Sequence, residues 1–291
     1  MKKIYLIFIF MLVMLGVMAT SVCASNTTIT FNGQGNVAPG SVNKITLNLN
    51  SIDKIGGIMG VIEKNVNITN IKLTAKNGWN ILSYNEENGR FNMVKNEGAK
   101  VEEIMEIEYT ASNTEGMGKI EVKNMKVSEI ENYDEEALKD ISKEIKIEKT
   151  LHIDNYDITQ EDSTKYIGQI IPNTGINALK QNIKTNGIVK IYKDNTEVTN
   201  SNELIATGMV IKIKWNNNEE IEYTAIVTGD LTGNGKMGIG DLSKLSRYAA
   251  GLDNTLSGAY LKASDILKNG KYGGIANISK MSRVLAGMDN L

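Results

Sequence analysis

The sequence predicts a multi-domain chain: a β-sandwich of jelly-roll type, a small α+β module and an all-α unit of paired loop–helix segments. Three observations predict it. Residues 25–150 alternate apolar and polar side chains in short runs broken by Gly, Asn and Ser. Residues 151–228 mix such runs with one helical stripe, and residues 229–291 repeat a segment of themselves. A period of two marks strands with one buried face, and spacings of three and four mark helices.

The first element, residues 1–24, is expected to be a secretory signal peptide. Lys2 and Lys3 supply the positive start, Ile4 to Val17 an apolar core, and Val22-Cys23-Ala24 a small-residue cleavage site. Cys23 is the one cysteine, so cleavage leaves none and a disulfide scaffold is excluded. The expected destination is extracellular, free or held at the cell surface through a partner. No second apolar segment is long enough to span a membrane once the signal is removed. With 32 Lys and Arg against 34 Asp and Glu, the net charge of −2 carries no nucleic-acid footprint.

In residues 25–150, Ile45, Leu47 and Leu49 alternate with Thr46 and Asn48. Met105, Ile107 and Tyr109 do the same, as do Ile120 with Val122 and Ile145 with Ile147. So many strands in ~120 residues fit a sandwich. Ala38-Pro39-Gly40-Ser41 is the turn between the first two strands. The acid-rich stretch Asp134 to Glu144, carrying Leu138 and Ile141, is expected to form a short helix. Trp79 follows the Asn77-Gly78 turn, and it is the candidate ring for stacking on a sugar.

Residues 151–228 read as a strand over 165–171 and a turn at Pro172-Asn173-Thr174-Gly175. A helix face of Ile176, Leu179 and Ile183 follows, then strands over 188–192, 209–215 and 220–227. The last strand runs directly into Gly229-Asp230, so this module and the next are expected to move together.

The C-terminal unit opens with an oxygen-rich loop. Asp230, Thr232, Asn234 and Asp241 fall at positions 1, 3, 5 and 12 of a calcium loop, with Gly235 at position 6 and the Lys236 carbonyl at position 7. Calcium takes oxygen ligands, which is the chemistry this spacing offers. An amphipathic helix follows, with Leu242, Leu245, Ala249 and Leu252 on one face. Asp241-Leu-Ser-Lys-Leu-Ser-Arg-Tyr-Ala-Ala-Gly-Leu-Asp-Asn254 then recurs as Asn277-Ile-Ser-Lys-Met-Ser-Arg-Val-Leu-Ala-Gly-Met-Asp-Asn290, identical at eight of fourteen positions.

Duplicated loop-plus-exit-helix units with no entering helix resemble a type I dockerin, the calcium-dependent plug by which secreted clostridial proteins dock onto cohesins. The resemblance covers residues 228–291. It implies one Ca2+ in the first loop, through Asp230, Thr232, Asn234, Lys236 and Asp241. The second loop offers Asp265, Asn269, Lys271 and Asn277, but Leu267 holds its position 3 and Asn277 arrives one residue late. Weak or absent binding is expected there. The resemblance also implies a partner face of Ile239, Gly240, Ser246 and Arg247 in the first copy, and Ser282 and Arg283 in the second. The helix periodicity independently sets Ser246, Arg247, Ser282 and Arg283 off the apolar stripe.

A second resemblance covers residues 27–149. The Pro-Gly turn, the apolar strand after it, Gly56-Gly57-Ile58-Met59-Gly60-Val61-Ile62 and the late Gly118 to Val127 stretch are similar to a cohesin. Residues 151–228 resemble the spacer that often precedes dockerins.

Enzyme chemistry has little to stand on. His152 is the one histidine, no Gly-x-Ser-x-Gly elbow accompanies it, and no His/Cys cluster could hold zinc. Glu102-Glu103 and Glu135-Glu136 lie in charge-rich surface contexts. The expected function is a secreted, non-catalytic scaffold or interaction protein, docking onto a cohesin-bearing partner in a polysaccharide-associated, cellulosome-like complex. The alternatives are a carbohydrate-binding or adhesion protein whose sandwich takes a polysaccharide, a hydrolase with an unrecognised carboxylate pair, and self-association of sandwich with loop–helix unit, within one chain or between copies.

Overall fold

The computed structural model describes residues 27–291; the expected signal segment, residues 1–24, lies outside the described residues. Nine strands form the first unit: β1 (Thr27–Gly33), β2 (Asn36–Val37), β3 (Val42–Lys64), β4 (Ile68–Ala75), β5 (Asn80–Tyr84), β6 (Arg90–Ala111), β7 (Gly116–Glu129), β8 (Glu135–Ala137) and β9 (Ile141–Ile147). Their hydrogen-bonded order is β2-β9-β7-β3-β6-β4, with β1 on β3, β5 on β6 and β8 on β7. Strands β3 and β6, at 23 and 22 residues, are long enough to serve two sets of neighbours. Their pairing shifts register between Asn50 and Ile55, so the first half of β3 lies beside β1 and the second beside β7. Such irregularities bend a strand, and here they fold one sheet around one core. Ile45, Leu47 and Leu49 enter that core in alternation, with Met105, Ile107, Tyr109, Ile120, Val122, Ile145 and Ile147.

The stretch expected to be helical at 134–144 is instead β8 and the start of β9. The edge of β7 offers unpaired backbone groups there: Lys126 pairs with Ala137, and Leu138 N–H donates to the Met125 carbonyl at 2.9 Å. Leu138 and Ile141 pack on the sandwich core. A helix this short is marginal alone, and a sheet edge satisfies the same backbone at once.

The second unit comprises β10 (Leu151–Ile153), β11 (Asp157–Glu161), β12 (Thr164–Ile170), α1 (Ile176–Gln181), β13 (Ile183–Thr185), β14 (Ile188–Lys193), β15 (Thr196–Glu197), β16 (Val210–Lys214) and β17 (Glu220–Val227). Its sheet runs β11-β12-β17-β16-β14-β15, with β12 and β17 parallel, and β10 pairs separately with β13. Ile183 is buried as its apolar spacing requires, but it opens β13: α1 ends at Gln181, with Asn182 as its C-cap.

Residues 229–291 carry three helices, α2 (Ile239–Ala249), α3 (Gly258–Lys262) and α4 (Ile275–Leu285). The two copies end alike. Gly251 and Gly287 take φ of 69° and 71°, and the N–H groups of Leu252 and Met288 reach back to the Arg247 and Arg283 carbonyls, each at 2.9 Å. This glycine-terminated cap stops each helix before the end of the apolar run. Leu252, expected on the buried stripe, is therefore 70% exposed, and so is its counterpart Met288.

Neither junction is a loose linker. Gly40, in the 38–41 turn, has φ +72° and packs so closely on the second unit that a Cβ there would lie 3.1 Å from the Asn216 backbone. Asn217 Nδ2 donates to the Asn113 carbonyl at 3.2 Å, and Lys149 pairs with Glu219. At the other junction one core is shared: Tyr166 of β12 and Ile226 of β17 pack with Leu231, Leu245, Leu256, Ala259 and Met281. Leu245 is fully buried in that core. Leu245→Ala is expected to destabilise this unit by roughly 2–5 kcal/mol, measured as a shift of the denaturant midpoint of the full chain.

Candidate functional site

The first loop begins where β17 ends. Asp230 is fully buried, and four backbone N–H groups converge on its carboxylate. Oδ1 accepts from Gly233 at 2.8 Å and Asn234 at 2.9 Å. Oδ2 accepts from Gly235 at 2.9 Å and from Thr207 at 2.8 Å. Thr207 belongs to the second unit, so this side chain spans the boundary. The loop's tight winding depends on Gly235, with φ +76° and the Ile205 carbonyl only 2.6 Å from where a Cβ would stand.

Asp241 is the other buried acid of the loop. It lies in the first turn of α2, where a carboxylate suits the N-terminal end of the dipole. Its Oδ1 accepts from the N–H groups of Leu231 and Thr232 and from the Thr232 hydroxyl, at 2.9, 2.9 and 2.8 Å. Its Oδ2 accepts from Gly238 N–H at 2.9 Å. Asn234 turns its Oδ1 to Lys236 N–H at 2.9 Å, and Lys244 Nζ donates to the Leu231 carbonyl at 3.0 Å. Within this loop Asp230 accepts from Asn234, Asn234 from Lys236, and Asp241 from Thr232. Burial, with the charge of Asp230 next, pushes the Tyr260 phenol upward from its ordinary pKa.

These residues supply the oxygen chemistry of a calcium loop, and the oxygens of both its carboxylates carry hydrogen bonds. Calcium takes about six to eight oxygens, and a carboxylate has about four lone-pair sites. All four on Asp230 already face N–H donors, and Asp241 also accepts four bonds.

The second loop departs further. Asp265 accepts from Asn269 and Gly270 N–H at 3.1 and 2.7 Å. Asn277 is buried; its Oδ1 accepts from Leu267 N–H at 3.2 Å and its Nδ2 donates to the Lys271 carbonyl at 2.7 Å. The amide therefore covers the carbonyl that a cation would need. Leu267 brings no oxygen to position 3.

Of the residues assigned to a partner face, four lie in the first copy and two in the second. Ile239 and its counterpart Ile275 open α2 and α4 and are 79% and 81% exposed. Ile275 was not singled out from the sequence, and the repeat register would have found it. Gly240, Arg247, Ser282 and Arg283 are exposed; Ser246 is half-buried and donates back to the Leu242 carbonyl at 2.8 Å. Arg283 Nε donates to Asp289 at 3.1 Å.

Trp79 is not a sugar platform. It is 3% exposed, and its Nε1 donates to Glu102 Oε1 at 2.6 Å. Lys95 holds the same carboxylate at 2.7 Å, so Glu102 anchors the indole and its loop. The apolar body of Trp79 packs in the sandwich core. Glu135 pairs with Lys126 on the surface, and His152, 77% exposed at its side chain, pairs with Asp154. Among the described residues no group of three or more His, Cys, Asp or Glu side chains could hold a metal, and no helix is long and apolar enough to cross a membrane.

No protein-family model matches the chain, and no curated protein matches it. Among solved structures the chain is similar to a cohesin module from a Clostridium perfringens family 33 glycoside hydrolase, at 16% identity over 43% of this chain and 98% of that one, with a TM-score of 0.39. It is similar to a non-cellulosomal cohesin from Archaeoglobus fulgidus, at 13% identity over 42% and 91%, with a TM-score of 0.33. A type II cohesin dyad from the adaptor ScaA scaffoldin of Acetivibrio cellulolyticus matches at 11% identity over 68% and 76%, also with a TM-score of 0.33. Likenesses at these identities and TM-scores assign no activity.

Two outcomes follow for this site. Trp79→Ala is expected to cost roughly 3–5 kcal/mol of stability and to leave polysaccharide retention unchanged, read by melting and by a pull-down. Asn277→Leu is expected to cost about 1–3 kcal/mol, because the Lys271 carbonyl and Leu267 N–H lose their buried partner.

Proposed function

We propose that this chain is a secreted, non-catalytic interaction protein whose C-terminal unit docks onto a cohesin-like partner. The observation that carries the reading is the matched display of two repeats. Ile239 and Ile275 are exposed almost equally, Leu252 and Met288 equally, and Arg247 and Arg283 stand on the open faces of their helices. Exposed apolar residues scattered singly need no explanation, but here the same two positions are exposed in both copies of the repeat. Arginine is enriched at protein interfaces, whose buried centres are apolar. The resemblance of the repeats to type I dockerins supports a cohesin as the partner class. The N-terminal sandwich serves as the scaffold that carries this face.

The test is calorimetric titration of the full chain against a panel of clostridial cohesin modules. Binding to one of them is expected, and reversing both charges, Arg247→Glu with Arg283→Glu, is expected to weaken it at least tenfold, about 1.4 kcal/mol. Unaltered affinity would remove the assigned face. Failure to bind any module, with retention on polysaccharide, would move the function to the sandwich.

A further inference from the structure

We infer that the first loop is a metal-independent clasp: the buried Asp230 carboxylate ties the second unit and the helical unit into one cooperative body with no divalent cation bound. The inference stands apart from the docking reading, because it concerns how the face is held and not what it meets.

The donors come from both sides of the boundary. Gly233, Asn234 and Gly235 belong to the loop, and Thr207 to the segment between β15 and β16. Thr207 is itself fixed, since its hydroxyl accepts from Val227 N–H at 3.0 Å. Two further backbone bonds hold the loop ends. Asn173 N–H donates to the Gly235 carbonyl at 2.8 Å, and Gly229 N–H to the Ala263 carbonyl at 2.8 Å. A carboxylate buried without partners is strongly unfavourable, whereas N–H bonds to an ionised acceptor are about twice as strong as neutral ones. Four such bonds do for Asp230 what a cation does in an open calcium loop: they compensate its charge and fix the winding of the backbone.

The rest of the loop agrees. Asp241 is compensated by Leu231, Thr232 and Gly238 together with the N-terminal turn of α2. Lys244 places an ammonium on the Leu231 carbonyl, within the loop itself. The second copy reaches the same end without a charge at its last position: the Asn277 amide closes the loop onto the Lys271 carbonyl and Leu267 N–H. Gly273 N–H adds a bond to the Ser264 hydroxyl at 2.8 Å. Two loops that descend from one pattern are thus both closed by hydrogen bonds.

The experiment is scanning calorimetry of the full chain stripped of divalent ions, in chelator and again in millimolar calcium. The transition of residues 151–291 is expected to be single and to shift by less than about 1 °C between the two conditions. Saturating calcium in a live loop would raise it by roughly 5–10 °C. Asp230→Ala is expected to lower the transition by several degrees in chelator and calcium alike. Thr232→Val keeps every backbone donor and removes one oxygen, so it serves where Asp230→Ala does not fold; it is expected to leave the calcium response at nil. A calcium-dependent rise in the unaltered chain, or separate transitions for the two units, would overturn the inference. A lost docking affinity with the calcium response still at nil would count against the docking face alone.

Discussion

The arrangement of the C-terminal half depends on one buried charge and the N–H groups around it. Asp230 lies where a β-sheet unit ends and a helical unit starts, fully removed from solvent. A carboxylate in that place has no tolerable state except one in which its oxygens are bonded. The loop winds as it does to deliver Gly233, Asn234 and Gly235 to it, and the preceding unit contributes Thr207. From this follow the sharp turn at Gly235 and the docking of the loop on residues 204–208. The start of α2 follows as well, since Asp241 bonds back to Leu231, Thr232 and Gly238.

Packing extends what the clasp begins. Tyr166 and Ile226 leave the sheet unit's own core and enter the helical one, so burial on one side is stability on the other. Lys262 strengthens the same boundary: its ammonium lies 5.2 Å from the Tyr166 ring and 5.0 Å from the Tyr272 ring, and pairs with Glu161 at 2.8 Å. Toward the N-terminus, Gly40 lets the sandwich approach the second unit more closely than any other residue would allow. The repeat helices therefore display Ile239, Ile275, Arg247 and Arg283 from a supported platform. A preorganised face loses less freedom on binding than one on a mobile stalk.

Much of this was legible in the residues, and the failures have physical causes. Ile45, Leu47 and Leu49 announce their strand because alternation is a property of the backbone and of one buried face. The run at 134–144 misleads because Leu138 and Ile141 suit a helix locally, while the empty edge of β7 is a long-range fact. Leu252 fails for a nearby reason: Gly251 ends the helix before the stripe is complete. Trp79 follows a turn in sequence, yet Glu102, distant in sequence, draws its indole inward. The loop residues Asp230, Thr232, Asn234 and Asp241 are linked by hydrogen bonds, Asn234 to Asp230 and Thr232 to Asp241. What occupies their lone pairs was not legible, because backbone N–H donors such as that of Thr207 have no side-chain signature.

The most direct test of this account is native-state hydrogen exchange of the full chain in chelator, following the amides of Thr207, Gly233, Asn234 and Gly235. If the Asp230 carboxylate holds them without metal, they exchange as slowly as core amides of β16 such as Ile211, and added calcium changes nothing. Rapid exchange in chelator that calcium slows would contradict the account, and it would make the loop a cation site after all.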